Sequence, residues 1–288
     1  MGADLHDTFK SVRNLYAEAD NTLGWSVSDL SFKGPAEKLN DTRYTQPALF
    51  VHSVAAGRLL FEEGITPAFA AGHSLGEYSA LCLAGAFEFA DGLRLVAERA
   101  RCMADTGKKN PGAMAAVIGL DDEIVEKTIA DIDGVVPANY NSPGQIVISG
   151  AAEGVRSASD RLSEVGAKRV VPLKVSGAFH SVLMADTTEE FRAAVESAPM
   201  KNADIPVIAN VTAEPVTLVA DIRELLVRQV TSPVRWTQSV QRLAAEGVDT
   251  AYEAGPGSVL RGLVRRIERG IGVKPAGTSE DIAALTTE

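Results

Sequence analysis

Gly72-His73-Ser74-Leu75-Gly76 sets a serine between two glycines, directly after an apolar, small-residue run from Pro67 to Ala71. A helical pattern through Leu75, Tyr78, Ser79 and Cys82 follows at once. Strand, G-x-S-x-G and helix in that order predict a nucleophile elbow: the glycines permit a sharp turn, and the serine hydroxyl stands exposed at the strand tip. The helix start turns free N–H groups and a positive dipole end toward the same point, which suits an oxyanion formed during acyl transfer. The N–H of Leu75 is the expected first donor. The pentapeptide alone also fits a tight turn with an idle serine; the flanking strand and helix favour the nucleophile.

A serine nucleophile needs a base. His180 lies on Ser176-Gly177-Ala178-Phe179-His180-Ser181, a loop between two predicted elements, and is the best candidate. His73 adjoins the serine, but an elbow points successive side chains apart. His52 falls inside a helical pattern, where a core or surface role is expected, and His6 lies at the chain start. A different signal marks Arg99. Its neighbours at helical spacing, Leu95, Val96, Cys102 and Met103, are all apolar, so the arginine points along a buried stripe. A buried guanidinium must meet an anion. That anion is either a core carboxylate or a substrate carboxylate gripped by the bidentate fork, and spacing leaves both open.

The elements that must hold these groups alternate. Helices are expected over 5–23, 48–63 and 91–105, with Pro47 at the first position of the second, and a loop carrying Gly24, Gly34 and Pro35. From 113 the pattern reads strand (113–120), helix (121–131), strand (135–140), turn (141–144), strand (145–149), helix (151–165) and strand (168–175). This β-α-β-β-α-β order is the ferredoxin-like unit. Strands at 205–210 and 250–253 alternate with helices at 220–230 and 237–247, and a last helix carries Arg261, Arg265, Arg266 and Arg269. The expected fold is α/β: a core with a mainly parallel sheet, residues 1–111 and 177–288, and a ferredoxin-like small domain inserted at 112–176. Gly255-Pro256-Gly257 before the last helix fits a phosphate or merely a helix start.

Composition excludes several classes. With 288 residues, 45% hydrophobic and 23% charged, the chain reads as an ordinary globular protein. No apolar run reaches the ~18 residues needed to span a bilayer, and no secretory leader opens the sequence, so the cytoplasm is the expected setting and no membrane partner is expected. A net charge of −10 with no long basic block argues against nucleic acid as a partner, and the arginine cluster near the end is the one candidate patch for an acidic partner. Cys82 and Cys102 lack the spacing of a disulfide framework or zinc site, and no metal or cofactor is expected.

Several stretches together resemble the malonyl-CoA:acyl carrier protein transacylase family of fatty acid and polyketide synthesis: T-Q-P-A-L (45–49), G-H-S-L-G-E-Y-S-A-L (72–81), N-S-P-G-Q-I-V-I-S-G (141–150), G-A-F-H-S (177–181), P-V-R-W (233–236) and G-P-G-S-V-L (255–260). They span nearly the full chain in the family's order. The resemblance implies an α/β-hydrolase-like core with the ferredoxin-like insert, acylation of Ser74 by malonyl-CoA, His180 as its base, and transfer to the phosphopantetheine thiol of acyl carrier protein. It implies that Arg99 grips the malonyl carboxylate, that Leu75, Phe179 and Asn141 belong to the substrate site, and that His180 is oriented by a main-chain carbonyl from around Arg235. Phe179 before His180 is the malonyl-type version of its motif; Ala100 stands where the family has glycine. A monomer is expected. The family opens with an apolar strand and a G-Q-G-S-Q-type loop ahead of the residues that Met1 resembles, which implies a longer natural protein or an impaired form. A serine esterase or thioesterase, and a silent carrier-protein-binding module, are the alternative readings.

Overall fold

Two 21-residue helices, Thr42–Glu62 and Phe89–Lys109, pack against each other and form the body on which the elbow is set. The computed structural model describes residues 1–285. The first of these helices starts earlier than its proline suggests. Asp41 caps it by accepting the Arg43 N–H, so Pro47 lies inside the helix and only the bond its missing N–H would have made is lost. The expected helix over 5–23 is broken at Phe9, whose backbone is extended, into Ala3–Thr8 and Lys10–Leu23. The following loop folds into two short helices, Val27–Lys33 and Ala36–Leu39.

Nine strands are described: β1 (Ala70–Ala71), β2 (Gly112–Ile118), β3 (Val136–Ser142), β4 (Gln145–Ala151), β5 (Arg169–Pro172), β6 (Val207–Ile208), β7 (Pro215–Val216), β8 (Thr250–Glu253) and β9 (Gly272–Pro275). Strands β2 to β5, with the helices Asp122–Ile129 and Ala152–Glu164 between them, make an antiparallel sheet in the order β3-β4-β2-β5. The alternating apolar residues of β2 and β4 bury Val117, Ile146 and Ile148 against Val125, Ile129 and Leu162 of the two helices, giving this unit its own apolar core. β3 runs further than expected and takes in Asn141. It is also stitched to the rest of the molecule, because Tyr140 N–H donates to Val234 O and Val234 N–H to Ala138 O.

The mainly parallel sheet expected for the remainder is met only in part, as two separate sheets. β1 and β6 pair in parallel, but β7 joins β6 antiparallel, and β8 and β9 form a separate parallel pair. The fold is mixed α/β. Strands of two to four residues make few ladder bonds, and no described strand joins β1 to β8. Between their edges lies an apolar cavity of about 790 Å³, walled by residues such as Leu60, Phe69, Leu83, Tyr252 and Leu263. Ser74, Arg99 and His180 are not part of its wall. The last helix, Val259–Ile267, carries Arg261, Arg265 and Arg266, with Arg269 beyond its end. Among the described residues no helix is long and apolar enough to cross a membrane.

Candidate acyl-transfer site

The elbow forms at the end of β1. A Cβ on Gly72 would fall 1.9 Å from the carbonyl carbon of Gly76, so only glycine lets the chain double back there; Gly76 meets no such contact. Ser74 itself sits in the left-handed region, with φ of 50°. Such strain persists where surroundings over-determine it, and here they do. The Ser74 N–H donates to Asn210 Oδ1 at 2.7 Å, and the Ser74 carbonyl accepts from Gln229 Nε2 at 3.0 Å. The helix Gly76–Leu83 begins directly afterwards, and among the described residues the Leu75 N–H at its start has no acceptor.

His180 comes from the loop after β5 and is also held at positive φ, 58°. Its Nε2 lies 2.9 Å from Ser74 Oγ. Its Nδ1 lies 2.9 Å from Gln229 O and 3.1 Å from Ser232 O. Two carbonyls accept only, so Nδ1 carries the hydrogen and Nε2 presents its lone pair to the serine. Burial, with the Arg99 cation adding to it, pushes the imidazole down to about 3, so it is neutral at physiological pH. The orienting groups are main-chain carbonyls, as expected, and belong to Gln229 and Ser232, just ahead of Arg235. The Arg235 backbone is committed elsewhere: its N–H donates to Asn210 O and its carbonyl accepts from Ser239.

Arg99 is 1% exposed, as its apolar neighbours predict. Its fork reaches Gln46 Oε1 at 2.6 Å, Gln229 Oε1 at 2.9 Å and Ser74 Oγ at 3.0 Å, with the Tyr78 ring 5.2 Å away. Among the described residues no carboxylate forms an ion pair with it. Neutral amide oxygens align the cation, and the buried Glu77 carboxyl acts on its charge without forming an ion pair with it. Burial draws its pKa down.

The remaining expected residues are placed as follows. Asn141 Oδ1 lies 2.9 Å from His73 Nε2, and the His73 ring leans on Trp236, so His73 turns away from Ser74. Phe179 is half-buried and packs on Met114, Ala138 and Val147 of β2, β3 and β4. His52 Nε2 meets Gly277 O in the core, and His6 lies against Tyr16 and Phe32. The phosphate reading of Gly255-Pro256-Gly257 loses two of its donors, because Glu253 already accepts the Leu260 and Arg261 N–H groups. Gln46, Glu77, Asn210 and Gln229 were missed. Gln46 and Gln229 carry the signal that marked Arg99, a polar side chain in an apolar helical register: Phe50 four residues after Gln46, and Leu226 and Ile222 three and seven before Gln229.

A strained serine at a strand-to-helix turn, a neutral histidine on its hydroxyl and a free helix-start N–H beside it are the parts of an acyl-transfer centre. The comparisons agree. The family model described as the acyl transferase domain matches residues 1–282, and the chain belongs to this family. It is 46% identical over 273 residues to the malonyl CoA-acyl carrier protein transacylase of Bacillus subtilis (93% of this chain, 86% of the relative). It is 44% identical over 271 residues to that of Escherichia coli K12 (93% and 88%). Among solved structures, the malonyl-CoA:acyl carrier protein transacylase of Xanthomonas oryzae superposes with a TM-score of 0.96 at 42% identity (100% and 93%). A malonyl-transacylase in complex with its type II PKS acyl-carrier protein gives 0.96 at 39% identity (100% and 95%).

Proposed function

We infer that this acyltransferase moves a malonyl group from malonyl-CoA to the phosphopantetheine thiol of acyl carrier protein, in fatty acid or polyketide synthesis, through an acyl-Ser74 intermediate. The observation that carries the reading is Arg99, a buried cation 3.0 Å from Ser74 Oγ whose fork is held by amide oxygens and that forms no ion pair among the described residues. Such a fork is matched to the free carboxylate of a malonyl group.

The steps follow from the geometry. Ser74 Oγ attacks the thioester carbonyl carbon as its proton passes to His180 Nε2. The tetrahedral oxyanion takes the Leu75 N–H, and the C–S bond breaks. The departing thiolate receives the proton from His180, and CoA leaves. The phosphopantetheine thiol then gives its proton to His180 and attacks the ester, and that proton returns to Ser74 as the C–O bond breaks. Each half-reaction is balanced and returns the histidine neutral. Asn141 and Phe179, at the junction of β3 and the His180 loop, border the acyl group.

The finer features of the reading rest on the same residues. We take 112–176 as a small domain set into a core of 1–111 and 177–288. The two parts meet at the Tyr140–Val234 seam beside the site. We take a monomer as the working unit. Two free, buried cysteines fit a cytoplasmic setting. An esterase has no use for an arginine on the nucleophile. Intact mass after mixing with malonyl-CoA or acetyl-CoA, beside Ser74→Ala, tests the reading: a malonyl adduct that needs Ser74 is expected, and no adduct, or one that survives Ser74→Ala, sinks it.

A further inference from the structure

Glu77 is a fully buried carboxyl that takes no part in the steps above. It stands one turn along the helix from Ser74 and points back beneath the elbow. One oxygen, Oε2, accepts from Asn210 N–H at 3.1 Å and from Gln229 Nε2 at 2.7 Å. Both partners hold the nucleophile by its own main chain. Asn210 Oδ1 takes the Ser74 N–H, and its Nδ2 donates to Gly72 O at 2.7 Å; Gln229 Nε2 donates to the Ser74 carbonyl.

The Gln229 amide has two possible orientations, and its neighbours choose one. Glu77 draws Nε2 to its side, which turns Oε1 to the Arg99 fork at 2.9 Å. The Gln229 main-chain carbonyl meanwhile holds His180 Nδ1. A single carboxyl oxygen thus lies beneath the strained serine, the arginine fork and the residue that orients the histidine. Burial raises this carboxyl to about 7, and Oε2 can accept from both donors whether the group is charged or neutral.

We propose that Glu77 is a positioning residue for the transfer: its Oε2 orders Asn210 and Gln229, and through them fixes the Ser74 backbone and aims Arg99 at the acyl carboxylate. The role lies in the reach of the acceptor oxygen, and Glu77→Gln separates it from the electrostatic effect of the carboxyl on Arg99. The proposal rests on Ser74 being the acylated residue.

Two substitutions test it in the whole chain. Glu77→Gln keeps length and a carbonyl that can accept both donors; Glu77→Met keeps volume and removes the acceptor. With malonyl-CoA, acetyl-CoA and acyl carrier protein, Glu77→Gln is expected to stay within about 3-fold of the parent in kcat and in malonyl-over-acetyl preference. Glu77→Met is expected to lose about 10-fold or more in kcat, and several-fold in that preference as the Arg99 fork loses its alignment. A merely structural role lowers the melting temperature without changing the preference of the molecules that remain folded. Should Glu77→Met not fold, Glu77→Asp, which withdraws the carboxylate by one methylene, takes its place with the same readouts. An unchanged preference in the shortened or apolar variant overturns the proposal, as does a loss in Glu77→Gln equal to that in Glu77→Met. In a Gln229→Ala background the loss of preference from Glu77→Met must vanish, and additive losses overturn it too. Absence of a malonyl adduct on the parent chain removes the reading of the site together with this proposal, whereas a normal adduct with an unchanged preference removes this proposal alone.

Discussion

His180 Nδ1 rests 2.9 Å from the main-chain carbonyl of Gln229, where many serine–histidine pairs use a carboxylate. A carbonyl fixes the tautomer and ring plane as a carboxylate does, but brings no full negative charge to stabilise an imidazolium. With burial and Arg99 also opposing protonation, the ring stays neutral far into acid.

One prediction concerns pH. With His180 held down at about 3 against 6.5 in a free side chain, the base form is present across the neutral range. Single-turnover acylation by malonyl-CoA should therefore show no loss from a histidine between pH 8 and pH 5. The stability consequence has a definite sign. Below 6.5 the unfolded chain gains a proton that the folded one refuses, so the contribution of His180 is full above 6.5 and drains as pH falls toward 3. His180→Ala should slow acylation about 10²–10⁴-fold, and rapid-quench kinetics would read both effects.

The arginine gives a second. Arg99→Ala should lower kcat/KM for malonyl-CoA far more than for acetyl-CoA, by about 10²-fold or more in the ratio, because a charge-assisted bidentate contact is worth about 1.5–3 kcal/mol or more when buried. We further expect hydrolysis of the acyl-enzyme to rise relative to transfer, since the clamp holds the ester in one pose. Comparing free malonate release with carrier acylation checks this, and an unchanged partition counts against the clamp.

The two elbow glycines should behave differently. Gly72→Ala places a methyl 1.9 Å from the Gly76 carbonyl carbon and should abolish activity and depress the melting temperature by many degrees. Gly76→Ala meets nothing within 4 Å, lies at a helix start and should leave thermal stability unchanged or slightly raised. Differential scanning fluorimetry on the pair distinguishes a steric demand from a merely local preference for glycine.

A fourth prediction concerns Gln46. Its amide oxygen holds the end of the Arg99 fork remote from Ser74, at 2.6 Å. Gln46→Leu should raise KM for malonyl-CoA several-fold while acetyl transfer changes little, because the fork loses the partner that fixes its plane. Equal effects on the two substrates would assign Gln46 to general packing.

Local chemistry was legible from the sequence and long-range pairing was not. The elbow, the β-α-β-β-α-β unit and the burial of Arg99 each follow from spacing within a few turns of chain, where apolar period and glycine placement speak directly. The partners of Arg99 lie 53 and 130 residues away and are neutral amides, which no charge pattern reveals. Gln229 at the end of its helix sits in the register of Leu226 and Ile222, the same clue that exposed Arg99. The sheet misled for another reason. Strands such as β1 and β6 are two residues long, too short for their apolar run to declare which neighbours they pair with.

The absence of an ion pair on Arg99 among the described residues has a practical consequence at the bench. A buried cation held by amide oxygens without an ion pair is a receptor for small anions in its own right. If Arg99 takes the acyl carboxylate as proposed, sulfate, phosphate or malonate in a buffer would compete with substrate there. Rates measured in such buffers would understate the enzyme, and the shortfall would track the anion chosen and not ionic strength alone. The same property offers a handle: a compact dicarboxylate or sulfonate is the natural starting fragment for an inhibitor.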